Sequence, residues 1–288
     1  MKYLVVKGWL GFGDRLESLK MAVKYAQMHN LKIYVDWKDS MWSHGNESFY
    51  TYFNLINMPV LGSLDEIPAD ATVYPPYWKD RLKESITREI NDKKGELGID
   101  LGMIDKPFDA DVLVVSSIGN RYLFADGQFF ANCFRVIDQR ILQKLRDRKT
   151  RYPIEQSWGI HIRGTDRLRP NKRMISVQSI ISLITCYGGL NNIKMTVVSD
   201  DKENLEIWKR YYPDSFVASE LSVQQNSTAG NHNLDKDKLN FTKDEMNVDL
   251  LADFFTLALT QRVYSTCKDS RFTKEAQRLH PYVKSILG

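Results

Sequence analysis

The stretch KYLVVKGWLGFGDRLESLKMAVKYAQMHNLKIYVDW, residues 2–37, decides the fold. It opens with a β-branched run that ends in glycine, as buried parallel strands do. The next segment repeats apolar side chains every three or four residues, which predicts a helix with one buried face that ends at Asn30. A second β-branched run follows. The chain therefore begins β-α-β, and a crossover helix of this length predicts a parallel, right-handed pair of strands.

The same alternation continues along the chain. Strands are predicted within residues 71–78 and 111–117, and the aromatic-rich residues 122–148 predict a helical layer. A new strand, SWGIHIR, begins at residue 157 and starts a second series of strands and helices. Its further predicted elements are a helix in 176–188, a strand in 194–201, a helix in 202–213, a strand in 215–220, a helix in 247–261, a strand in 262–266 and a helix in 270–280.

Two segments between these patterns are predicted to be irregular. RDRKTRY, residues 146–152, is typical of a solvated linker, and the polar residues 222–246 predict a mobile loop. The sequence therefore predicts an α/β fold of two Rossmann-like domains that face a central cleft. We expect the first domain over 1–150 and the second over 151–273, with a C-terminal helix in 274–288 that packs back on the first.

Composition narrows the classes of function. The chain has 288 residues, of which 43% are hydrophobic and 26% charged, a globular composition long enough for two domains. Its net charge of +4 comes without a dense Lys/Arg block, which favours an acidic small molecule over nucleic acid as the ligand. Three widely spaced cysteines predict free thiols. The absence of a signal peptide and of a membrane-spanning apolar run predicts a soluble, cytoplasmic protein.

Ligands of open α/β sheets lie beyond the carboxyl ends of the strands. The first such loop, GWLGFGDR, places Gly11 and Gly13 before Asp14 and Arg15 at a helix start. Backbone amides in a glycine-rich turn can hold a charged or sugar ligand, although a simple tight turn uses the same glycines. The glycine spacing matches neither the dinucleotide-binding pattern nor the P-loop.

The segment WGIHIRGTDR, residues 158–167, is the most informative of these loops. Its alternation of apolar and polar side chains presents His161 and Arg163 on one face of a strand. The guanidinium of Arg163 at the strand end can bind a phosphate in a bidentate contact, and Asp166 can orient it or cap the loop. A surface salt-bridge turn is the alternative interpretation.

Three further loops carry acids or hydroxyls. Ser199 precedes Asp200 and Asp201, which can contact a base or ribose, bind metal, or cap the following helix. Asp249 and Asp253 share a helix face and are either ligand contacts or a solvated pair. The last cluster suits a diphosphate or an ordinary helix cap, and it comprises Ser265, Thr266, Ser270 and Thr273. Together these loops favour a nucleotide diphosphate bound without metal.

In chain order, G-x-G-D-R at 11–15, H-x-R-x-x-D at 161–166, S-D-D at 199–201 and D-x-x-x-L before S-x-x-T at 270–273 resemble the GT-B fucosyltransferase superfamily. That superfamily includes the α1,2-, α1,6- and protein O-fucosyltransferases. The resemblance implies a GT-B fold and an inverting, metal-independent glycosyltransferase. It would move a sugar from UDP-xylose or GDP-fucose to a glycan hydroxyl, with no cofactor besides this nucleotide-sugar co-substrate.

The sequences YVDWKDSMWSH (34–44) and ADATVYPPYWKD (69–80) are also similar to glycosyltransferases of large algal DNA viruses, a related viral branch that includes a xylosyltransferase. The resemblance implies that Arg163 binds the β-phosphate of the donor and that the loop 270–273 holds the diphosphate. The donor-binding residues that the loops and the resemblance together indicate are Gly11, Gly13, Arg15, His161, Asp166, Ser199, Asp200, Asp249, Ser270, Arg271, Phe272 and Thr273.

Two positions depart from the family pattern. Gly164 stands where many members have a second basic residue, a role that Arg167 or Arg169 can take. Asp14 replaces the usual asparagine and adds a carboxylate to the site. Both departures leave the donor sugar and the base of the donor open.

Inverting transfer needs a base for the acceptor hydroxyl and a positive site for the leaving diphosphate. We assign the leaving group to Arg163, aided by Arg15. The candidates for the base follow strands of the first domain and are Asp14, Asp39 and Asp80. The rings beside Asp80 can desolvate its carboxylate and stack on an acceptor sugar, and the acceptor-binding candidates are Trp37, Tyr77 and Trp78.

Two other classes of function remain open. One is a non-catalytic protein of the same fold that binds a nucleotide sugar or a glycan. The other is a Rossmann-type dehydrogenase, for which Asp36 could hold a ribose although the glycine spacing is wrong.

Overall fold

The computed structural model describes residues 2–99, 108–116, 127–164, 175–186, 193–225 and 239–288. The chain forms two compact units: the N-unit, Met1–Ile137 with Lys284–Gly288, and the C-unit, Asp138–Val283. The division therefore falls after Ile137, whereas the sequence suggested 150. Most of the predicted C-terminal helix belongs to the C-unit, and its last residues belong to the N-unit.

The N-unit is built on a parallel sheet. Its strands are β1 (Tyr3–Lys7), β2 (Lys32–Asp36), β3 (Phe53–Leu55), β4 (Val73–Tyr74), β5 (Val112–Val115) and β6 (Phe134–Val136). Its helices are α1 (Phe12–Met28), α2 (Phe49–Tyr52), α3 (Arg88–Asp92) and α4 (Gly127–Cys133). Among the described residues the order of the parallel sheet is β2-β1-β5-β4, and β3 pairs with β6 in an antiparallel ladder.

The predicted β-α-β opening is confirmed, because β1 and β2 are parallel neighbours joined through α1. Strand β1 is central and almost wholly buried, so its β-branched residues face apolar layers on both sides. Helix α1 places its apolar stripe, which includes Leu16, Leu19 and Val23, in the core. This arrangement puts the residues that follow β1 and β2 at one edge of the sheet.

The C-unit has a second parallel sheet. Its strands are β7 (Trp158–Ile162), β8 (Met195–Ser199), β9 (Phe216–Val217) and β10 (Arg262–Ser265). Its helices are α5 (Gln139–Arg151), α6 (Val177–Cys186), α7 (Lys202–Tyr211), α8 (Leu221–Gln225), α9 (Lys243–Leu259) and α10 (Arg271–Leu279), and the chain ends in α11 (Val283–Leu287). In the described residues the strand order is β10-β7-β8-β9, and all neighbours are parallel.

Three expectations about elements are wrong. Residues 146–152 are not a solvated linker, because α5 runs to Arg151 and buries Ile141, Leu145 and Arg148 on one face against α9. The predicted helical layer over 122–148 is interrupted by the strand β6. The predicted loop over 222–246 contains the end of α8 and the start of α9, and its residues 226–238 lie outside the described part of the chain.

Candidate functional site

The carboxyl ends of three neighbouring strands of the C-unit define the candidate site, as the sequence predicts. In the register of the sheet, His161 of β7 lies opposite Ser265 of β10 and Val198 of β8. Ile162 lies opposite Ser199, the last residue of β8. The loops that follow these strands therefore start side by side, and they carry Arg163, Asp200 and the 266–273 segment.

Arg163 follows β7 and is held by its neighbours through the main chain. Its N–H donates to the Thr266 hydroxyl at 2.8 Å, and that hydroxyl in turn donates to the Arg163 carbonyl at 3.3 Å. On the other side, the N–H of Gly164 donates to the Asp200 carboxylate at 2.9 Å. The Arg163 residue itself is partly exposed. A guanidinium at a strand end with a fixed main chain is suited to binding a phosphate.

Gly164 has no room for a side chain. A Cβ at this position would lie 1.8 Å from Oδ2 of Asp201 and 2.4 Å from its Cβ. Contacts this short exclude any residue other than glycine unless the start of α7 moves. The position at which many members of the resembled family carry a second basic residue is therefore closed in this protein by Asp201.

His161 is a buried, neutral group that links β7 to β10 and α10. Its Nδ1 lies 3.1 Å from the Ser265 hydroxyl and 2.8 Å from the Thr273 hydroxyl. Burial, with the nearby positive charge of Arg163, lowers the pKa of His161 to about 3. The imidazole therefore adds no positive charge to the site at neutral pH, and it fixes the first turn of α10 instead.

The first turn of α10 lies beside the carboxyl ends of β7 and β10. Ser270 caps this helix, because its hydroxyl accepts from the N–H of Thr273 at 3.3 Å. The ring of Phe272 packs against His161, with ring centroids 5.4 Å apart, whereas Arg271 is exposed. The N-terminus of a helix carries partial positive charge, so this turn complements an anion.

The acids after β8 support the main chain. Asp201 caps α7, since its Oδ1 accepts from the N–H of Asn204 at 3.0 Å, which confirms one of the predicted alternatives. Ser199 is buried, and its hydroxyl donates to the Asp201 carbonyl at 3.0 Å. Asp200 accepts from Gly164, as described above. The geometry of Ser199 and Asp201 therefore explains the shape of the loop without a ligand.

Asp249 and Asp253 do not form a solvated pair on the surface of α9. Asp249 is 0% exposed, and Oδ2 accepts from the N–H of Leu221 at 2.9 Å. Arg148 lies between the two acids, 2.9 Å from Asp253 Oδ1 and 3.7 Å from Asp249 Oδ1. Burial and the neighbouring Asp249 raise the pKa of Asp253, and Arg148 opposes the shift. Asp249 therefore has no exposed surface for the nucleotide contact that the resemblance implies.

In the N-unit, Arg15 and Asp39 bind each other. The guanidinium donates to both carboxylate oxygens, at 2.8 and 2.7 Å, and both side chains are at most 1% exposed. The Arg15 guanidinium packs against Gly8, where a Cβ would lie 2.0 Å from Nη1 of Arg15. These contacts assign Arg15 and Asp39 to the core, rather than to a leaving group and a catalytic base. Gly11 caps α1 in an extended conformation, and Gly13 and Asp14 lie in its first turn.

The predicted acceptor residues have different environments. Trp37 and Trp78 are each 1% exposed, so their rings pack in the core and offer no face to a sugar. Tyr77 is partly exposed, and the Arg81 guanidinium lies over its ring at 5.0 Å. Asp80 is exposed, so the expected desolvation by neighbouring rings does not occur. Among these three aromatic residues, Tyr77 keeps a surface on which a ligand can stack.

Sequence reasoning did not anticipate that Lys7 and Arg148 are buried and paired with acids. Lys7, at the end of β1, donates to Asp36 at 2.6 Å and to the carbonyl of Glu84 at 2.8 Å. Burial lowers the pKa of Lys7, and the neighbouring carboxylate of Asp36 opposes this shift. Asp36 is thus engaged with Lys7, which leaves it unsuited to hold a ribose. Both Lys7 and Arg148 read as ordinary surface cations in the sequence, and only the apolar spacing around Arg148 could have indicated its burial.

Asp166, together with Arg167 and Arg169, lies outside the described residues. Within the described ranges, no group of three or more potential metal ligands is found. Across those same ranges, no helix has the length and apolar character that a membrane span needs. The thiols of Cys133, Cys186 and Cys267 are free, as the sequence predicts.

Comparison with solved structures identifies the fold. The fucosyltransferase NodZ from Bradyrhizobium matches with a TM-score of 0.68 and 17% identity, over 100% of this chain and 94% of that chain. A NodZ α-1,6-fucosyltransferase co-crystallised with GDP matches with a TM-score of 0.67 and 18% identity, over 100% and 93% of the two chains. A variant of FUT1 from Arabidopsis thaliana in complex with GDP matches with a TM-score of 0.56 and 15% identity, over 97% and 68%.

The chain therefore has the α/β fold of GT-B fucosyltransferases, which is the fold class that the sequence analysis predicts. At the level of sequence, no protein-family model and no curated protein matches it.

Proposed function

We propose that this protein is a glycosyltransferase that uses a nucleotide-diphosphate sugar. The observation that carries the proposal is the placement of Arg163 at the carboxyl end of β7, with its main chain held by Thr266 and Asp200. The first turn of α10 lies beside the same strand end and is tied to it through His161. A guanidinium on a main chain that is held in place and a helix N-terminus at one sheet edge complement a diphosphate.

We propose GDP-fucose as the first donor to test and UDP-xylose as the second. The solved structures with this fold include a NodZ fucosyltransferase co-crystallised with GDP and a FUT1 variant in complex with GDP. Those ligands belong to the other proteins, at 18% and 15% identity, so they support a guanine nucleotide here without excluding uracil. The proposed acceptor is the hydroxyl group of a glycan.

The proposed reaction is an inverting displacement. The acceptor oxygen forms a bond to the anomeric carbon, the bond from that carbon to the diphosphate breaks, and the hydroxyl proton passes to a carboxylate. Arg163 and the first turn of α10 stabilise the negative charge on the leaving diphosphate, so no metal ion is needed. Asp14 and Asp80 are the remaining candidates for the base, because Asp39 already accepts two hydrogen bonds from Arg15.

A thermal-shift panel tests the class of ligand. GDP, UDP, GDP-fucose, UDP-xylose, UDP-glucose and NAD are compared with and without EDTA. Stabilisation by one diphosphate family that EDTA leaves unchanged is expected, because a ligand that binds only the folded state raises its stability. Binding without transfer or donor hydrolysis would indicate the non-catalytic alternative. Stabilisation by NAD alone would indicate a dehydrogenase, and a flat panel would overturn the proposal.

Arg163→Ala tests the role of the guanidinium. Loss of this charge should lower kcat about 10²- to 10³-fold, because removal of a donor to a developing anion has an effect of this size. The matched control is Arg262→Ala: Arg262 is exposed at the start of β10, at the opposite end of the same sheet. It should retain wild-type turnover. Near-normal transfer by Arg163→Ala would remove Arg163 from the mechanism.

A further inference from the structure

The hydroxyl of Thr266 extends the hydrogen-bond ladder between β10 and β7 past the last residues of the two strands. The main-chain N–H of Thr266 donates to the carbonyl of His161 at 3.0 Å. Two residues after His161, the Thr266 side chain replaces the main chain as the hydrogen-bond partner. Its Oγ1 accepts from the N–H of Arg163 at 2.8 Å and donates to the Arg163 carbonyl at 3.3 Å. The Thr266 side chain thus binds both main-chain polar groups of Arg163.

Thr266 is itself firmly placed. It is 2% exposed, and its carbonyl accepts from the N–H of Ile175 at 2.7 Å. Its N–H, carbonyl and hydroxyl are therefore all bonded to other segments of the C-unit. Because these bonds hold Thr266 in place, its hydroxyl is held in place too. The main chain of Arg163 is fixed relative to that hydroxyl.

The opposite side of the Arg163 main chain is bound at Gly164. The N–H of Gly164 donates to Asp200 at 2.9 Å, and the lack of a Cβ lets the chain pass against Asp201. Two consecutive N–H groups are thus bonded to two different neighbouring strand ends. Groups that bind a reacting ligand gain most when their supporting atoms are already in place before the ligand arrives.

We propose that Thr266 is a positioning residue for diphosphate binding, and that it acts through the main chain of Arg163. This inference rests on the proposed function, in which the Arg163 guanidinium binds the diphosphate. It assigns to Thr266 no contact with the substrate. Its hydroxyl sets where the Arg163 side chain begins, so its loss should weaken contacts to the phosphates and leave contacts to the nucleoside unchanged.

Thr266→Val tests the proposal, because valine keeps the shape of threonine and removes the hydroxyl. By isothermal titration calorimetry, the dissociation constant for GDP should rise about 3- to 10-fold, because the two hydrogen bonds that hold the Arg163 main chain are lost. The dissociation constant for guanosine, which has no phosphate, should not change. With GDP-fucose as donor, kcat should fall by a similar factor. Thr266→Ser restores the hydroxyl and should restore GDP affinity.

Thr196→Val is the matched control for loss of a buried hydroxyl. Thr196 is 0% exposed, lies in β8 of the same sheet, and its hydroxyl is 2.7 Å from that of Ser157. This variant should lose stability without loss of GDP affinity. A Thr266→Val protein that lost affinity for GDP and guanosine equally would show a general structural effect and would overturn the proposal.

A double-mutant cycle separates this proposal from the proposed function. If Thr266 acts through Arg163, Thr266→Val should have no further effect on GDP affinity in the Arg163→Ala background. Additive effects would overturn the positioning role while leaving the role of Arg163 intact. If wild-type protein binds neither GDP nor UDP, or if Arg163→Ala binds as tightly as wild type, the proposed function itself fails.

Discussion

At the scale of the residue, the candidate site is built from groups that hold one another in place. His161 shows this most clearly, because it lies near the carboxyl end of β7, beside Arg163, yet is neutral. Its Nδ1 contacts the hydroxyls of Ser265 and Thr273, and its burial disfavours the charged form. Its role is thus to connect β7 with α10, while positive charge comes from Arg163.

The low pKa of His161 predicts a loss of stability in acid. In the folded state the pKa is about 3, whereas an unfolded chain has the ordinary value of 6.5. Below pH 6.5 the unfolded state therefore takes up a proton that the folded state does not, and stability falls as the pH falls toward 3. Between pH 7 and pH 5 this group should remove about 2 kcal/mol from the free energy of unfolding.

Urea unfolding of wild type and His161→Asn across this pH range checks the prediction. Asparagine places a polar atom near the position of Nδ1 but does not titrate, so the variant should lose this part of the pH dependence. It should also be less stable than wild type at pH 7. Equal slopes for the two proteins between pH 5 and pH 7 would contradict the prediction.

The residue types of the site were predictable from the sequence, but their partners were not. Alternation along β7 predicted that His161 and Arg163 share a strand end, and the helix cap by Asp201 was one of three open alternatives. The pairing of Arg15 with Asp39 depends on a contact between residues 24 positions apart, which no local pattern encodes. Tertiary contacts of this kind decided which charges became ligand-binding candidates and which became part of the core.

At the scale of the element, α5 is the most instructive case. Its charged sequence resembles a linker, yet Ile141, Leu145 and Arg148 follow one another at helical spacing and all face α9. Arg148 is 0% exposed, and it donates to the Thr256 hydroxyl at 2.9 Å and to the Ala218 carbonyl at 2.7 Å. An arginine with buried acid partners can occupy a core position that is usually apolar.

Arg148→Met should destabilise the C-unit by about 3–5 kcal/mol, because it removes the cation beside the buried Asp253 and leaves Lys144 as the cationic partner of Asp249. The matched control is Arg146→Met in the same helix. The Arg146 side chain is exposed, and among the described residues its hydrogen-bond partner is Gln143. That substitution should change stability by less than about 0.5 kcal/mol. Urea unfolding measures both, and similar small losses for the two variants would show that Arg148 is dispensable.

The helices and strands with strong periodicity were predictable, and the short ones were not. The elements β1, α1, β2, β7, β8, α9 and β10 all fall within their predicted segments, apart from earlier starts of α1 and α9. Strands β3 and β6 have three residues each and exist through pairing with one another. A three-residue strand carries too little alternation to be distinguished from the adjoining helices, so only the antiparallel ladder defines it.

At the scale of the whole molecule, the alternation of strands and helices predicted the fold. The boundary between the two units was predicted less accurately than the fold. The two parallel sheets and the likeness to NodZ agree with the predicted α/β architecture. The boundary lies after residue 137 instead of the predicted 150, because α5 packs against α9 and so belongs to the C-unit. A charge-rich surface helix and a linker have the same composition, so only the burial of one face separates them.

The division into units also separates two hypotheses for the donor site. The sequence analysis predicts donor contacts at Gly11, Gly13 and Arg15 of the N-unit as well as at the strand ends of the C-unit. In the structure Arg15 is occupied by Asp39, whereas Arg163 and the first turn of α10 lie at one sheet edge. We therefore expect the phosphates of the donor to be bound chiefly by the C-unit.

Hydrogen exchange followed by mass spectrometry, with and without GDP, tests this expectation. Protection should concentrate in peptides that cover residues 158–164, 195–201 and 262–273, because bound phosphates slow the opening of the strand ends that hold them. Peptides that cover residues 8–15 should change less. Arg163→Ala is the control and should lose the protection at 158–164. Protection at 8–15 as strong as at 158–164 would show that the glycine turn of the N-unit binds the donor, as its backbone amides at a helix start allow.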